Sequence, residues 1–275
     1  MTDSVYTGNE AQAASEQRRL DNKPCPKIGN HVLMSVITTL FKKDISPEQI
    51  SGRLGVLYPE QPEMQASTST IYTHLYQETA EDKSLKEHFR QKHAKPHKRN
   101  GIKERRGQII GRVSIDERPK VVEDKSRIGD WEGDTVESAG KSAYIATFVD
   151  RKSKILLAKI MPNKMALTLN KATIRAFRPI PKDQRNTLTL DNGKEFAAHK
   201  DLANALGIDI YFAHPYHSWE RGLNEHTNGL LRQYLPKKIP FDTLTQKQLD
   251  IIVAKINNRP RKVLGYRTPY EVFSP

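Results

Sequence analysis

The sequence predicts an α/β chain, a mixed sheet with helices on both faces, preceded by a small all-α region. Three observations carry this. Short capped segments with helical spacing occupy residues 25–82. From about residue 127 the texture changes to strand-like and helix-like segments in the order βββαβαβα. Between the two parts lies a dense basic stretch, so the chain divides into a polar arm (1–24), a helical region (25–82), a basic linker (83–124) and a larger domain (125–275).

Residues 1–24 show no convincing periodicity and read as a mobile arm. The apolar "HVLMSVITTLF" is the first helix candidate. "ISPEQISGRLG" follows, with Ser46 as N-cap, Pro47 at the first helical position and Gln49 placed for a capping box, Ile50 and Leu54 on one face, and Gly55 as a stop. "STSTIYTHLY" starts near Ser67 or Ser69 and turns Ile71, Leu75 and the nearby Tyr72 and Tyr76 inward. Three helices with a small polar last one resemble a helix-turn-helix module, whose final helix enters the major groove. A plain helical bundle accounts for these residues equally well, because the loop "VLYPEQPEMQA" is longer than that motif's turn. In the module reading, polar residues of the last helix such as Thr70, Thr73 and His74 reach phosphates or base edges.

The stretch "KSLKEHFRQKHAKPHKRNGIKERR" is broken by Pro96 and by Asn100-Gly101 and is dense in Lys, Arg and His. A connector needing only solubility could use either sign of charge. Phosphate contact by residues such as Arg90, Lys98 and Arg99 is therefore the better reading, and it predicts binding that weakens steeply with salt. The net charge of +13 points the same way, to a polyanionic partner and nucleic acid first. The single cysteine, Cys25, excludes an intrachain disulfide. No apolar run is long enough to span a membrane, and "MTDSVYTGNE" lacks the pattern of a signal peptide, so the expectation is a cytoplasmic protein with no membrane partner.

In the larger domain "IGDWEGDTVES", "SAYIATFVD" and "KILLAKIM" are three strands joined by short polar breaks, as in antiparallel hairpins. "MALTLNKATIRAF" is a helix. "TLTLDNGKEF" is open to two readings: Asp-Asn-Gly is a hairpin signal, but it also sets Asp191 at the carboxyl end of a strand, where open α/β sheets place reactive groups. The next segment decides, because "KEFAAHKDLANALG" has helical spacing and a terminal Gly before the short strand "IDIYFA". The unit is βαβ-like, with an acid at its switch. Two more helices come after it, one from about Gly222 and one in "LTQKQLDIIVAKINN".

A functional acid at 191 needs partners, since a two-metal phosphoryl-transfer site uses several carboxylates to hold hard cations about 3.5–4 Å apart. The first strand offers Asp130, Glu132, Asp134 and Glu137; spacing does not choose among them, and at least two must be ordinary solvated strand charges. The region after residue 217 offers Glu220 and Glu225. Glu225, Asn228 and Arg232 share one helical face. His214 and His217 read as packing or DNA-contact residues rather than a zinc site, having no cysteine neighbours.

"GDWEGDTV", "TLDNGKEF", "HSWERGLNEHTNGLLRQYLP" and "NNRPRKVLGYRTPYEVF", four separated motifs in one order, resemble the insertion-sequence transposases of the IS-thirty family, within the group that contains retroviral integrases. The likeness reaches back through "RRLDNKPCPKI", "SPEQISGRL" and "STSTIYTHLY". It implies an RNase H-like integrase catalytic core behind a helix-turn-helix region. It also implies an Asp-Asp-Glu triad of Asp134 (W-x-x-D), Asp191 (D-N-G) and Glu225 (G-x-N-E), with thirty-three residues between the last two as in that family. Arg232 matches the family's basic residue seven positions after the Glu. The resemblance further implies two Mg²⁺ ions, with Mn²⁺ as a substitute, and DNA partners in the form of the element's terminal inverted repeats and a target. With it come a homo-multimeric synaptic complex and a prokaryotic, nucleoid-associated setting. Lys194, Arg232, Arg259 and Arg261 are expected DNA contacts. Family members usually carry a further amino-terminal helix-turn-helix module. The alternative expectation is therefore a truncated DNA-binding remnant or regulator of transposition.

Overall fold

The computed structural model describes Gln12, Ser15, residues 29–89 and residues 109–273 apart from 216 and 238. The proposed arm (1–24) apart from Gln12 and Ser15, residues 90–108 of the basic linker and with them the candidate contacts Arg90, Lys98 and Arg99 lie outside the described residues. The chain divides into two compact units, 1–89 and 90–275.

Helix α1 (His31–Lys42) of the first unit begins at Asn30, whose side chain accepts from Leu33 N, and buries Leu33, Met34, Ile37 and Phe41. In α2 (Pro47–Leu57) the expected capping box of Ser46 and Gln49 is present. Gly55 does not stop this helix. It ends at Tyr58, which precedes Pro59 and is driven to φ −131° because a residue before proline is disfavoured in the helical region. Helix α3 (Thr68–Glu81) is capped by Ser67, which accepts from Thr70 N at 3.1 Å. Its buried stripe is Ile71, His74, Leu75 and Thr79. This corrects two expectations. Tyr72 and Tyr76 face outward, stacked on each other and on Phe89. His74 is buried, with Nε2 3.0 Å from Thr38 Oγ1, so it joins two helices and is not available to a base. Thr70 and Thr73 are partly and fully exposed.

The linker is shorter than its composition suggested. Residues 83–88 form a 3₁₀ turn that buries Leu85, and His88 Nδ1 lies 2.7 Å from Asp44 Oδ1 within the first unit. At the other end Ile109, Arg118 and Val122 are buried in the second unit. There Phe212 N donates to Val113 O at 2.9 Å.

The second unit is built on one five-stranded sheet, β1 (Asp130–Glu137), β2 (Tyr144–Asp150), β3 (Leu156–Met161), β4 (Thr187–Leu190) and β5 (Asp209–Phe212), in the order β3-β2-β1-β4-β5. β1, β2 and β3 pair antiparallel as hairpins, whereas β4 lies parallel to both β1 and β5. The Asp-Asn-Gly segment is therefore not a hairpin corner, and Gly193 has φ −67°, outside the left-handed region that such a turn requires. One sheet face, with Trp131, Phe148, Leu188 and Phe212, packs on α4 (Ala166–Phe177) and α5 (His199–Leu206). The opposite face, with Val136, Ile145, Val149 and Leu156, packs on α6 (Gly222–Tyr234) and α7 (Gln246–Asn257). Helices thus cover both faces of a mixed sheet, and a short α8 (Pro269–Phe273) adds Phe273 to the first core.

Candidate active site

Strand pleating sends alternate residues of β1 to opposite faces. Trp131 enters the core with α4 and α5, and Val136 enters the core with α6 and α7. Asp130, Glu132 and Asp134 share the parity of Val136, so three of the four candidate acids project from one side. Gly133, between them, admits Leu190 and Leu188 at van der Waals range or closer to where a Cβ would stand, which brings β1 and β4 tightly together below the site.

The structure separates these acids by their partners. Asp130 is fully buried, held by Arg127 Nε and Nη2 at 2.9 and 3.0 Å and by Thr187 Oγ1 at 2.8 Å. Glu132 is buried against Arg151 Nη1 at 2.7 Å, with Asn224 N at 3.4 Å, and burial pushes its carboxyl above the ordinary value. Neither is the solvated strand charge expected of the unused acids. They are internal ion pairs. Glu137 stands at the strand's exposed end, 3.8 Å from Lys141 Nζ.

Asp134 is different. Its carboxylate accepts from Asn228 Nδ2 on α6 at 2.8 Å, and the Asn228 carbonyl oxygen in turn accepts from Thr147 Oγ1 at 3.2 Å, which fixes the amide's orientation. Asp191, immediately after β4, accepts from Gly193 N at 2.8 Å, so its own turn aims it. Between the two acids lies Arg221, with Nη1 3.7 Å from Asp134 and Nη2 3.4 Å from Asp191. The Asp134 carboxyl is raised from its ordinary value by burial first and by the Asp191 charge, with Arg221 opposing. Glu225, in the first turn of α6, is exposed and makes no ion pair among the described residues. It lines an open cleft of about 470 Å³ with Asp134, Glu137, Arg221, Asn228 and Arg232. Asp134 and Glu225 thus share a cleft, and Asp191 is tied to it through Arg221.

Several neighbours are not singled out by spacing. Lys164 Nζ lies 2.8 Å from Glu195, a buried acid that also receives Thr135 Oγ1 at 3.1 Å. Burial alone would lower the Lys164 pKa, but Glu195 and the Asp191 charge outweigh it and hold the ammonium protonated. Arg221 belongs to the quoted "SWERG" motif, yet nothing in that motif says which acids it meets. Glu220, the other acid of this region, is bound by His214 through Nδ1 and through its backbone N–H, each at 2.8 Å. Burial would raise its pKa, and the His214 hydrogen bonds reverse this. His214 Nε2 also meets Asp116 at 2.9 Å. The potential metal-binding atoms of His214, His217 and Glu220 lie within 4.8 Å of one another, but both ring nitrogens of His214 are already taken by carboxylates.

The expected DNA contacts divide. Lys194 is exposed beside the Asp191 turn. Arg232 lines the cleft, anchored by Nη2 to Glu137 O at 2.6 Å and stacked 5.6 Å over Phe241. Arg259 and Arg261 correct the expectation, since both are buried. Arg259 donates to Gln233 Oε1 at 3.1 Å and Tyr234 OH at 2.8 Å, and Arg261 donates to Ile256 O at 3.0 Å. Arg259 fastens the end of α7 to α6 and Arg261 folds back on the last turn of α7, instead of facing a polyanion.

The Integrase core domain family matches residues 124–218. The chain is 41% identical over 261 residues to the transposase for insertion sequence element IS4351 of Bacteroides fragilis, covering 94% of this chain and 78% of that one. It is 38% identical over 274 residues to the transposase InsI for insertion sequence element IS30A of Escherichia coli (strain K12), covering 98% of this chain and 71% of that one. Among solved structures, the HTLV-2 integrase catalytic core domain in complex with magnesium is similar over 53% of this chain and 95% of that one, with 19% identity and a TM-score of 0.41.

Proposed function

This chain belongs to the IS30-family insertion-sequence transposases with an integrase core, and on that premise we propose that it cleaves and joins DNA strands with Asp134, Asp191 and Glu225 as its metal-holding acids. The observation that supports this most is the pair Asp134 and Asp191, distant in sequence, meeting across β1 and β4 around one guanidinium.

The donor set fits the group. Asp134 and Asp191 offer hard oxygen ligands suited to Mg²⁺, and the Arg221 guanidinium marks a place where their charges already require a cation. Two Mg²⁺ ions, or Mn²⁺ in their place, would polarise the scissile phosphate and lower the pKa of an attacking water. The chain's own residues do the positioning. Asn228 Nδ2 and Thr135 N each hold one oxygen of Asp134, Gly193 N holds one oxygen of Asp191 while Arg221 faces the other, and Glu225 supplies from α6 a carboxylate that makes no ion pair among the described residues. Arg221, between the two acids, would offer a guanidinium to a phosphate bound beside them. Lys194 and Arg232 are proposed backbone contacts flanking it, and Thr70 and Thr73 on α3 of the first unit are proposed contacts to the element's ends. Synapsis of two ends calls for a homo-multimer.

A nicking assay tests the reading. With Mg²⁺ or Mn²⁺ and DNA carrying the inverted repeats that flank the gene, the expected result is metal-dependent cutting at the repeat ends that Asp191→Asn abolishes while binding persists. A variant that still cuts overturns the assignment of Asp191. Binding without any cutting by the wild type overturns the enzymatic reading in favour of a regulator.

A further inference from the structure

A second basic surface lies on the catalytic unit and shares no lining residue with the cleft. It is a cavity of about 690 Å³ at the β3 edge, between α4 and the start of α7. Four cations converge there from separate segments: Lys159 on β3, Lys171 and Arg175 on α4, and Arg178 just after it. Lys171, Arg175 and Arg178 follow one helical stripe, spanning about 10 Å at roughly 1.5 Å per residue. All three are exposed, and none makes an ion pair among the described residues.

A solvated helix face ordinarily interleaves both signs, with acids three or four residues from each cation. α4 contains no acid over its whole length. Among the described residues the cavity lining holds no carboxylate, and Asp250 beyond it lies 3.7 Å from Lys159 and accepts from Gln246 Nε2 at 2.7 Å. It leaves the other three cations uncompensated. Apolar walls of Ile160, Pro162, Ala172 and Leu244 bound the cavity, and low-dielectric walls concentrate the field of charges beside them.

We propose that this groove is a second DNA site, which holds the phosphate backbone of duplex DNA without reading its sequence. The inference rests on the transposase reading, which requires the protein to hold DNA outside the strand being cut. A row of unpaired cations along one groove matches a linear array of phosphates better than it matches a single small anion.

The test uses the full chain and the variant K171E/R175E/R178E, with K171Q/R175Q/R178Q as a milder companion. Binding to duplex DNA lacking the element's ends is measured against salt concentration. Loss of three phosphate contacts is expected to flatten the log–log slope by about 2.7, from roughly 0.9 per phosphate, with the Gln variant in the same direction. An unchanged slope in both variants overturns the proposal. So does an unchanged slope accompanied by loss of self-association in sedimentation, which would assign the groove to a second copy of the chain. If wild-type protein never nicks DNA but the slope still falls, the groove stands and the catalytic reading fails. If nicking depends on Asp191 while the slope does not move, the reverse holds.

Discussion

Asp130, Glu132 and Asp134 occupy alternate positions on one face of one strand, yet they have opposite fates. The first two are sealed in the interior, Asp130 against Arg127 and Glu132 against Arg151, which also meets Glu123. The third shares a single arginine with an acid from another strand, and its side chain is 25% exposed. The same contrast recurs at the entry to α6, where Glu220 is bound by His214 and Glu225 is left open to the cleft. Residue type and face do not distinguish a structural acid from one proposed for chemistry here. The access to solvent does.

Three perturbations sharpen that distinction. The largest expected effect belongs to Asp134→Asn, which should lower metal-dependent nicking by about three orders of magnitude, given the several kcal/mol that metal-held charge contributes. Its melting temperature should stay near that of the wild type, and a large drop in melting temperature would place Asp134 with the structural acids. Glu132→Ala should do the opposite. It leaves Arg151 buried without its closest partner, at a cost of about 3–5 kcal/mol in urea denaturation. Molecules that remain folded should nick DNA at near the wild-type rate, and Glu132→Gln should recover part of the stability.

The smallest effect concerns Glu220 and His214. The His214 pKa is raised above its ordinary 6.5 by hydrogen bonds to Glu220 and Asp116. Folding therefore favours the protonated ring. Its stabilising contribution is complete below pH 6.5 and fades as pH rises through the raised folded value. His214→Gln should consequently lower thermal stability at pH 6 and match the wild type at high pH. An equal deficit at both pH values would mean that the charge on His214 contributes nothing.

Much of the architecture is legible in the sequence because its signals are local. Alternation and short polar breaks mark β1, β2 and β3, and the helix after Asp191 excludes a hairpin before any pairing is known. Ser46 and Gln49 announce a cap that the structure contains. The proposed triad is not legible in this way. All four acids of β1 carry the same local pattern, and what separates them is the approach of Arg127, Arg151 and Arg221 in three dimensions. Family likeness, not spacing, chooses Asp134. His74 is misjudged when polarity is weighed above periodicity, for it lies three residues from Ile71 on the same buried stripe. Arg259 and Arg261 are misjudged for the converse reason. A basic run reads as surface, and nothing nearby in sequence announces that Tyr234 and Gln233 will enclose one of them.

Arg221 also bears on how the protein is made. Two carboxylates forced together repel each other, and a cleft that waited for metal to quiet that repulsion would be unfinished on release from the ribosome. This cleft carries its own counter-ion, tethered to the chain just ahead of α6. No other cation is needed to hold Asp134 and Asp191 side by side in this fold. On the proposed reading, a bound metal ion would supply a charge that Arg221 already brings to the two acids.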